Sequence, residues 1–220
     1  MIVYTLSMGL HYTFQRTRIQ QFVLYQHDLQ IQHELEIKSS FDSLTGLLNR
    51  GKFFTVVTQI LRQRKEEYMA LCLFDLDGFK EINDGLGHQM GDKAIQMTGS
   101  IIIQTLGLDS PEGGGILEWN LDAPFSIAGR LGGDEFIVLL RGFKDKDDIT
   151  QIIKKILSSL NDVKFDRLEG IHASIGVTLI TDSDRDIDGA YKRADDALYC
   201  SKRAGKNRIH FSEDTEGDRA

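Results

Sequence analysis

Two short apolar runs, residues 126–131 and 136–140, are separated only by Gly132-Gly133-Asp134-Glu135. Paired glycines permit the positive φ that a tight connection between antiparallel strands requires, so the segment is expected to form a β-hairpin with two carboxylates at its tip. A third apolar run, residues 69–74, is continuous rather than alternating and ends in Asp75-Leu76-Asp77. Such a run reads as a central strand. Alternation puts Asp75 and Asp77 on one side of it and Leu76 on the other. If this strand neighbours the hairpin, Asp75, Asp134 and Glu135 converge at one edge of a sheet.

Helical periodicity surrounds these strands. Asn49 is placed to cap a helix whose apolar face is Phe53, Val57, Ile60 and Leu61. A short helix is expected over residues 79–84. Another opens at Gly91-Asp92, carries Ile95, Thr98, Ile102 and Leu106 on one face, and stops at Gly107. Ile149, Ile152, Ile153, Ile156 and Leu160 mark a further amphipathic helix, and residues 173–180 a strand. Ile187, Tyr191, Ala194 and Leu198 mark a helix to about residue 204, and residues 208–211 a last short strand. This order predicts an α+β domain over residues 42–211: a central, mainly antiparallel sheet with helices covering a single face.

Residues 1–41 stand apart, with no glycine after Gly9, no proline, and many Gln and His residues. Ile19, Phe22 and Leu29 lie on one helical stripe, and Leu24, Ile31 and Leu35 on another. They predict an N-terminal helical connector, with coiled-coil heptads broken at Gln26 and His33. Residues 2–14 fall short of the ~20 apolar residues of a membrane span. The cut end of a membrane helix and the first turns of a soluble one both remain open. No basic region precedes the apolar stretch, as a signal peptide requires. The acidic tail, residues 212–220, is expected to be disordered.

Charge and cysteine content exclude several functions. The 26 basic and 33 acidic residues leave a net charge of −7, against a nucleic-acid partner. Cys72 and Cys200 are too few for a disulfide scaffold or a cysteine zinc site, and a reducing, cytoplasmic setting is the simplest reading. No Gly-x-x-x-x-Gly-Lys-Ser/Thr string marks a P-loop. Single acids at strand ends are ordinary solvated residues. Clustered ones repel unless a cation neutralises them, and oxygen-only donors suit Mg²⁺ or Mn²⁺ working on phosphate substrates.

The string Arg130-Leu-Gly-Gly-Asp-Glu-Phe136 resembles the signature of the GGDEF-domain family, the diguanylate cyclases. So do Asp42-Ser-Leu-Thr-Gly-Leu-Leu-Asn-Arg50, Phe74-Asp-Leu-Asp-Gly-Phe-Lys-Glu-Ile-Asn-Asp84 and Gly87-His-Gln-Met-Gly-Asp92. Ser174-Ile-Gly-Val177 and Ala194-Asp-Asp-Ala-Leu-Tyr199, with Lys202, Gly205 and Asn207, complete the resemblance in the family's order.

The resemblance implies a fold akin to nucleotidyl-cyclase and polymerase palm domains. It implies condensation of two GTP into cyclic di-GMP and two pyrophosphates across a homodimer. Asp75, the backbone of Leu76, and Glu135 match metal ligands. Asp134 matches the position assisting deprotonation of the 3′-hydroxyl, though an aspartate beside Mg²⁺ is too acidic to be a strong base, which leaves ligation or orientation open. Asn83 and Asp92 match contacts to the guanine edge. Lys80, Lys202 and Lys206 match phosphate contacts, and Phe79, Gly132 and Gly133 further nucleotide contacts. Asp42 and Arg50 are expected to form a structural pair.

Three departures stand out. Lys206 replaces the family's usual Arg, keeping charge but losing the bidentate fork. An Arg-x-x-Asp product-inhibition site is absent, because its positions hold Ala123 and Ser126. The segment 107–125, with the only tryptophan, Trp119, looks longer than usual. The alternative is a catalytically silent module that binds GTP or a partner and transmits a signal, attached to an upstream sensor or the cytoplasmic face of a membrane.

Overall fold

The computed structural model describes residues 15–18, 20–28, 30–31, 39–63, 68–108 and 125–212. The chain divides into two units, residues 1–40 and 41–220. In the first, the described residues from 15 to 31 are helical, and Phe22, Leu24 and Ile31 are exposed. Ile19, Leu29 and Leu35 lie outside the described residues, as do Ala123, Trp119 and the tail beyond Ser212. Among the described residues no helix is long and apolar enough to cross a membrane.

The second unit contains strands β1 (Leu48–Asn49), β2 (Ala70–Leu76), β3 (Ile127–Gly132), β4 (Glu135–Leu140), β5 (Lys164–Phe165), β6 (Leu168–Glu169), β7 (Ala173–Leu179) and β8 (Ile209–Phe211). Its helices are α1 (Arg50–Gln63), α2 (Phe79–Leu86), α3 (His88–Leu106), α4 (Lys146–Asn161) and α5 (Asp188–Arg203). Six strands form one sheet in the order β1-β3-β4-β2-β7-β8. The continuous apolar run is β2, antiparallel to β4 on one side and to β7 on the other. The outer pairs β1–β3 and β7–β8 are parallel.

Helices cover both faces of this sheet, not one. Cys72 and Phe74 of β2 join a core with Ile102 of α3 and Ile153 of α4. Leu71 and Leu73 join a second core with Phe53 and Ile60 of α1 and Ala194 and Leu198 of α5. The reason is in β2 itself: a strand apolar at every position from Ala70 to Phe74 has two faces to remove from water, and each needs a helical cover. Gly176 of β7 sets how closely α5 lies on the sheet. A Cβ there would stand 2.7 Å from Leu198 Cα and closer still to Ala194 O and Leu198 N.

Local details follow the sequence with three adjustments. Asn49 caps α1 as expected, its Oδ1 accepting from Lys52 N–H at 2.9 Å. Helix α3 begins at His88, ahead of Gly91-Asp92, because the chain reverses at Gly87 (φ 89°) and turns directly into the helix. The short β1 and the separate β5–β6 hairpin carry two residues per strand, too few to leave an alternation pattern.

Candidate active site

The sheet's carboxylate edge is fixed by register. Asp75, next to last in β2, lies directly opposite Glu135, the first residue of β4, and opposite Ser174 of β7. The Leu76 N–H donates to the Asp134 carbonyl at 3.3 Å, so the end of β2 also holds the hairpin turn. The turn is a bulge between Arg130 and Gly132, with φ of 147° at Gly132 and 52° at Gly133. Residues with a Cβ rarely adopt these values, and both glycines are exposed, leaving the backbone open to a ligand.

Arg130 locks this turn. Its guanidinium donates to the Gly133 carbonyl from Nη2 at 2.7 Å and Nε at 3.0 Å, and its Nη1 donates to both carboxylate oxygens of Asp42 at 3.1 Å. Asp42 therefore pairs with Arg130, and the expected pair with Arg50 is corrected. The parallel pairing of Asn49 with Arg130 brings β3 beside the start of the domain, while Arg50 lies over the Phe54 ring. Burial alone would raise the Asp42 pKa, but hydrogen bonds from Thr45 and Arg130 outweigh it and hold the carboxyl below its ordinary value.

Charge at the edge is unbalanced. Burial pushes the Glu135 pKa up, and the charges of Asp75, Asp134 and Asp195 push it further, against the pull of Lys202. Asp134 is raised first by burial and then by Asp75, with a hydrogen bond from its own backbone, Lys202 and Arg130 opposing. The cation present is Lys202 of the last turn of α5, whose Nζ lies 2.6 Å from Asp75 Oδ2. Among the described residues no three His, Cys, Asp or Glu side chains gather as a protein-only metal cage. Asp75 and Glu135 still fit Mg²⁺, which uses one or two carboxylates and completes its shell with water and substrate phosphate.

A second group of expected residues meets where α2 packs on α3. A Cβ on Gly91 would collide with Asn83 Oδ1, stand 2.9 Å from Asn83 Cγ and 3.2 Å from Phe79 Cζ. The glycine thus lets Asn83 and Phe79 sit against the start of α3, beside the exposed Asp92. Lys80, in the first turn of α2, and Lys206, in the loop after α5, are both exposed. Leu76 has a buried side chain, so only its backbone can serve a ligand.

The family model described as "Diguanylate cyclase, GGDEF domain" matches residues 39–110 and 114–208. The chain belongs to the GGDEF family. It is similar to the probable diguanylate cyclase DgcE of Escherichia coli K12, 31% identical over 182 residues that make up 80% of this chain and 15% of DgcE. It is also similar to the cyclic di-GMP phosphodiesterase PdeB of Shewanella oneidensis, 29% identical over 84% of this chain and 20% of PdeB. Both relatives are much longer than the part this chain spans. The GGDEF domain of DgcB from Caulobacter crescentus, solved in complex with c-di-GMP, superposes with a TM-score of 0.67 and 27% identity, covering 80% of this chain and 96% of that one.

Sequence reasoning left Arg130 and Ser174 without roles although both stand in GGDEF-family strings. Their signal is relational: Arg130 matters because the turn carbonyl folds back onto it, and Ser174 because β7 lies next to β2. Asp77 does not share the surroundings of Asp75. It lies one residue beyond β2 and bonds to Ser174 and to the Asn207 backbone.

Proposed function

We propose that residues 42–211 act as a diguanylate cyclase domain that condenses two GTP into cyclic di-GMP and two pyrophosphates. The observation that carries this reading is the cross-strand pair Asp75–Glu135 under a glycine turn, with a lysine ammonium resting on Asp75. Facing carboxylates balanced by one movable cation are suited to exchange it for Mg²⁺ or Mn²⁺ arriving with a nucleoside triphosphate. Asp75, the Leu76 carbonyl and Glu135 would hold that metal. When bound, it supplies charge stabilisation at the attacking oxygen and the leaving pyrophosphate.

The chain's own residues do the rest. Asp92 accepts from the guanine N1–H and N2–H₂ edge, which adenine lacks, and Asn83 bonds the same base with Phe79 packed beside it. Gly132 and Gly133 give the phosphates room against the backbone. Lys202 leaves Asp75 for the triphosphate and joins Lys80 and Lys206 there. Asp134 orients the 3′-hydroxyl or ligates the metal, since a carboxylate beside Mg²⁺ is too acidic to be a strong base. The 3′-oxygen of one nucleotide bonds to the α-phosphorus of the other as the bond to pyrophosphate breaks. A second, equivalent attack closes the ring. Each domain offers one nucleotide, so two copies must meet face to face. Residues 1–41 would serve as the connector to a sensor or membrane segment, with the domain in the cytoplasm.

Incubating the chain with GTP and Mg²⁺ and identifying products by mass spectrometry tests the reading. Cyclic di-GMP with two pyrophosphates is expected, and none from Asp75→Asn. The similarity to PdeB, named as a phosphodiesterase and not a cyclase, favours a second reading, a catalytically silent module that binds GTP or a partner and transmits a signal. GTP bound but returned unchanged would select that reading instead.

A further inference from the structure

We propose that Asp77 is a positioning residue for the triphosphate end of the nucleotide, acting by clamping the loop 204–208 to the strand end that carries Asp75. The inference rests on the nucleotide-binding reading above and adds a residue to it.

Three polar atoms of Asp77 are engaged at this junction. Its backbone N–H donates to the His172 carbonyl at 2.8 Å. Its Oδ1 accepts from the Ser174 hydroxyl at 2.8 Å, and its Oδ2 accepts from the Asn207 N–H at 2.9 Å. Ser174 is fully buried in β7, so one carboxylate oxygen is anchored in the sheet while the other reaches 130 residues along the chain to the loop.

That loop is strained. Lys206 (φ 61°) and Asn207 (φ 46°) are consecutive non-glycine residues in the left-handed region, directly after Gly205 (φ 112°). Such conformations cost roughly 1 kcal/mol or more each and persist only where their surroundings impose them. Lys206 N–H donates to the Ser201 carbonyl at 3.2 Å and Arg208 Nε–H to the Lys206 carbonyl at 3.1 Å, while the Arg208 carbonyl accepts from the Ser201 hydroxyl at 2.8 Å and from Ile175 N–H of β7 at 2.9 Å. These bonds tie the loop to α5 and β7, and none of them reaches β2. The Asp77–Asn207 bond ties the strained pair to the strand whose Asp75 meets Lys202. It therefore adds, to the anchors on α5 and β7, a direct tie that holds the backbone bearing Lys206 against the strand of the metal-ligand candidates.

A carboxylate suits the position because two donors converge on it. Asparagine retains most of the geometry: its oxygen can accept from Asn207 N–H and its amide can donate to the Ser174 oxygen. Alanine retains none of it. A positioning role thus predicts loss in Asp77→Ala and recovery in Asp77→Asn, confined to ligands that carry the β- and γ-phosphates.

The test is calorimetric titration of the full chain with Mg²⁺ and 3′-deoxy-GTP, which lacks the attacking hydroxyl, and separately with GMP. Wild-type protein should bind both. Asp77→Ala should bind 3′-deoxy-GTP about tenfold more weakly with GMP affinity unchanged, and Asp77→Asn should stay within about threefold of wild type for both. If Asp77→Ala does not fold, Ser174→Ala removes one anchor only, and a smaller loss again confined to 3′-deoxy-GTP is expected. Equal losses for the two nucleotides, or no loss for either, overturn the proposal. Wild-type protein that binds neither nucleotide overturns the nucleotide-site reading beneath it, an outcome distinguishable because it needs no variant.

Discussion

Replacing Glu135 by Gln should stabilise the metal-free protein and at the same time remove its response to metal. Glu135 faces Asp75 across β2 and β4, with Asp134 and Asp195 adding negative charge. Like charges directly opposite in a sheet cost a few tenths to about 1 kcal/mol, and Glu135 is exposed enough that solvent screens much of the repulsion. Lys202 cancels a further part. A net gain of about 0.5 kcal/mol for the neutral amide is the expected size, or about 1–2 °C in melting temperature for a domain of this length. The sign has a pH signature. Asp134 and Glu135 have folded pKa values raised above their ordinary 3.8 and 4.5, so the folded state binds protons more tightly than the unfolded chain. The resulting stability is fully present below those ordinary values and is lost as pH rises through the raised ones. Glu135→Gln should flatten this fall. Calorimetric melting in EDTA from acidic to neutral pH, then at neutral pH with Mg²⁺ and 3′-deoxy-GTP, measures both effects. The wild type should gain stability from the metal–nucleotide pair and the variant should gain little, with no cyclic di-GMP formed from GTP. A variant destabilised by more than about 1 kcal/mol in EDTA would make Glu135 a structural residue and refute the reasoning.

Gly176→Ala should destabilise the fold by about 3 kcal/mol or more, because the new methyl meets helix backbone at Ala194 and Leu198 that cannot rotate away, whereas Gly85→Ala in α2, with nothing within 4 Å, should be neutral or stabilising by up to about 1 kcal/mol; urea denaturation of the two variants reads the opposite signs. Asp92 should make ATP a poor substrate, so equal GTP and ATP should yield cyclic di-GMP with little mixed GMP–AMP product by mass spectrometry. Product should inhibit weakly and only by competition, because Ala123 and Ser126 offer neither guanidinium nor carboxylate; initial rates against added cyclic di-GMP at saturating GTP should change little, and strong non-competitive inhibition would point to another pocket.

The sequence by itself determined the longer elements and the candidate carriers of the chemistry. The continuous apolar run before Asp75 announced a central strand, and the glycines before Asp134 announced a hairpin, because strand burial and tight-turn geometry leave marks on adjacent residues. The resemblance strings then identified the candidate site, residue by residue. Tertiary structure alone decided what depends on distant parts of the chain. It placed Glu135 opposite Asp75 through strand order, put Arg130 rather than Arg50 on Asp42 through the parallel β1–β3 pair, and set a second layer of helices on the far sheet face. It also separated Asp77 from Asp75. Alternation gave the two the same side, yet the strand ends between them, and Asp77 turns to a serine and a backbone amide that sequence cannot place beside it. Periodicity records local exposure to water, whereas hydrogen-bond and ion-pair partners are set by register and packing between segments far apart in the chain.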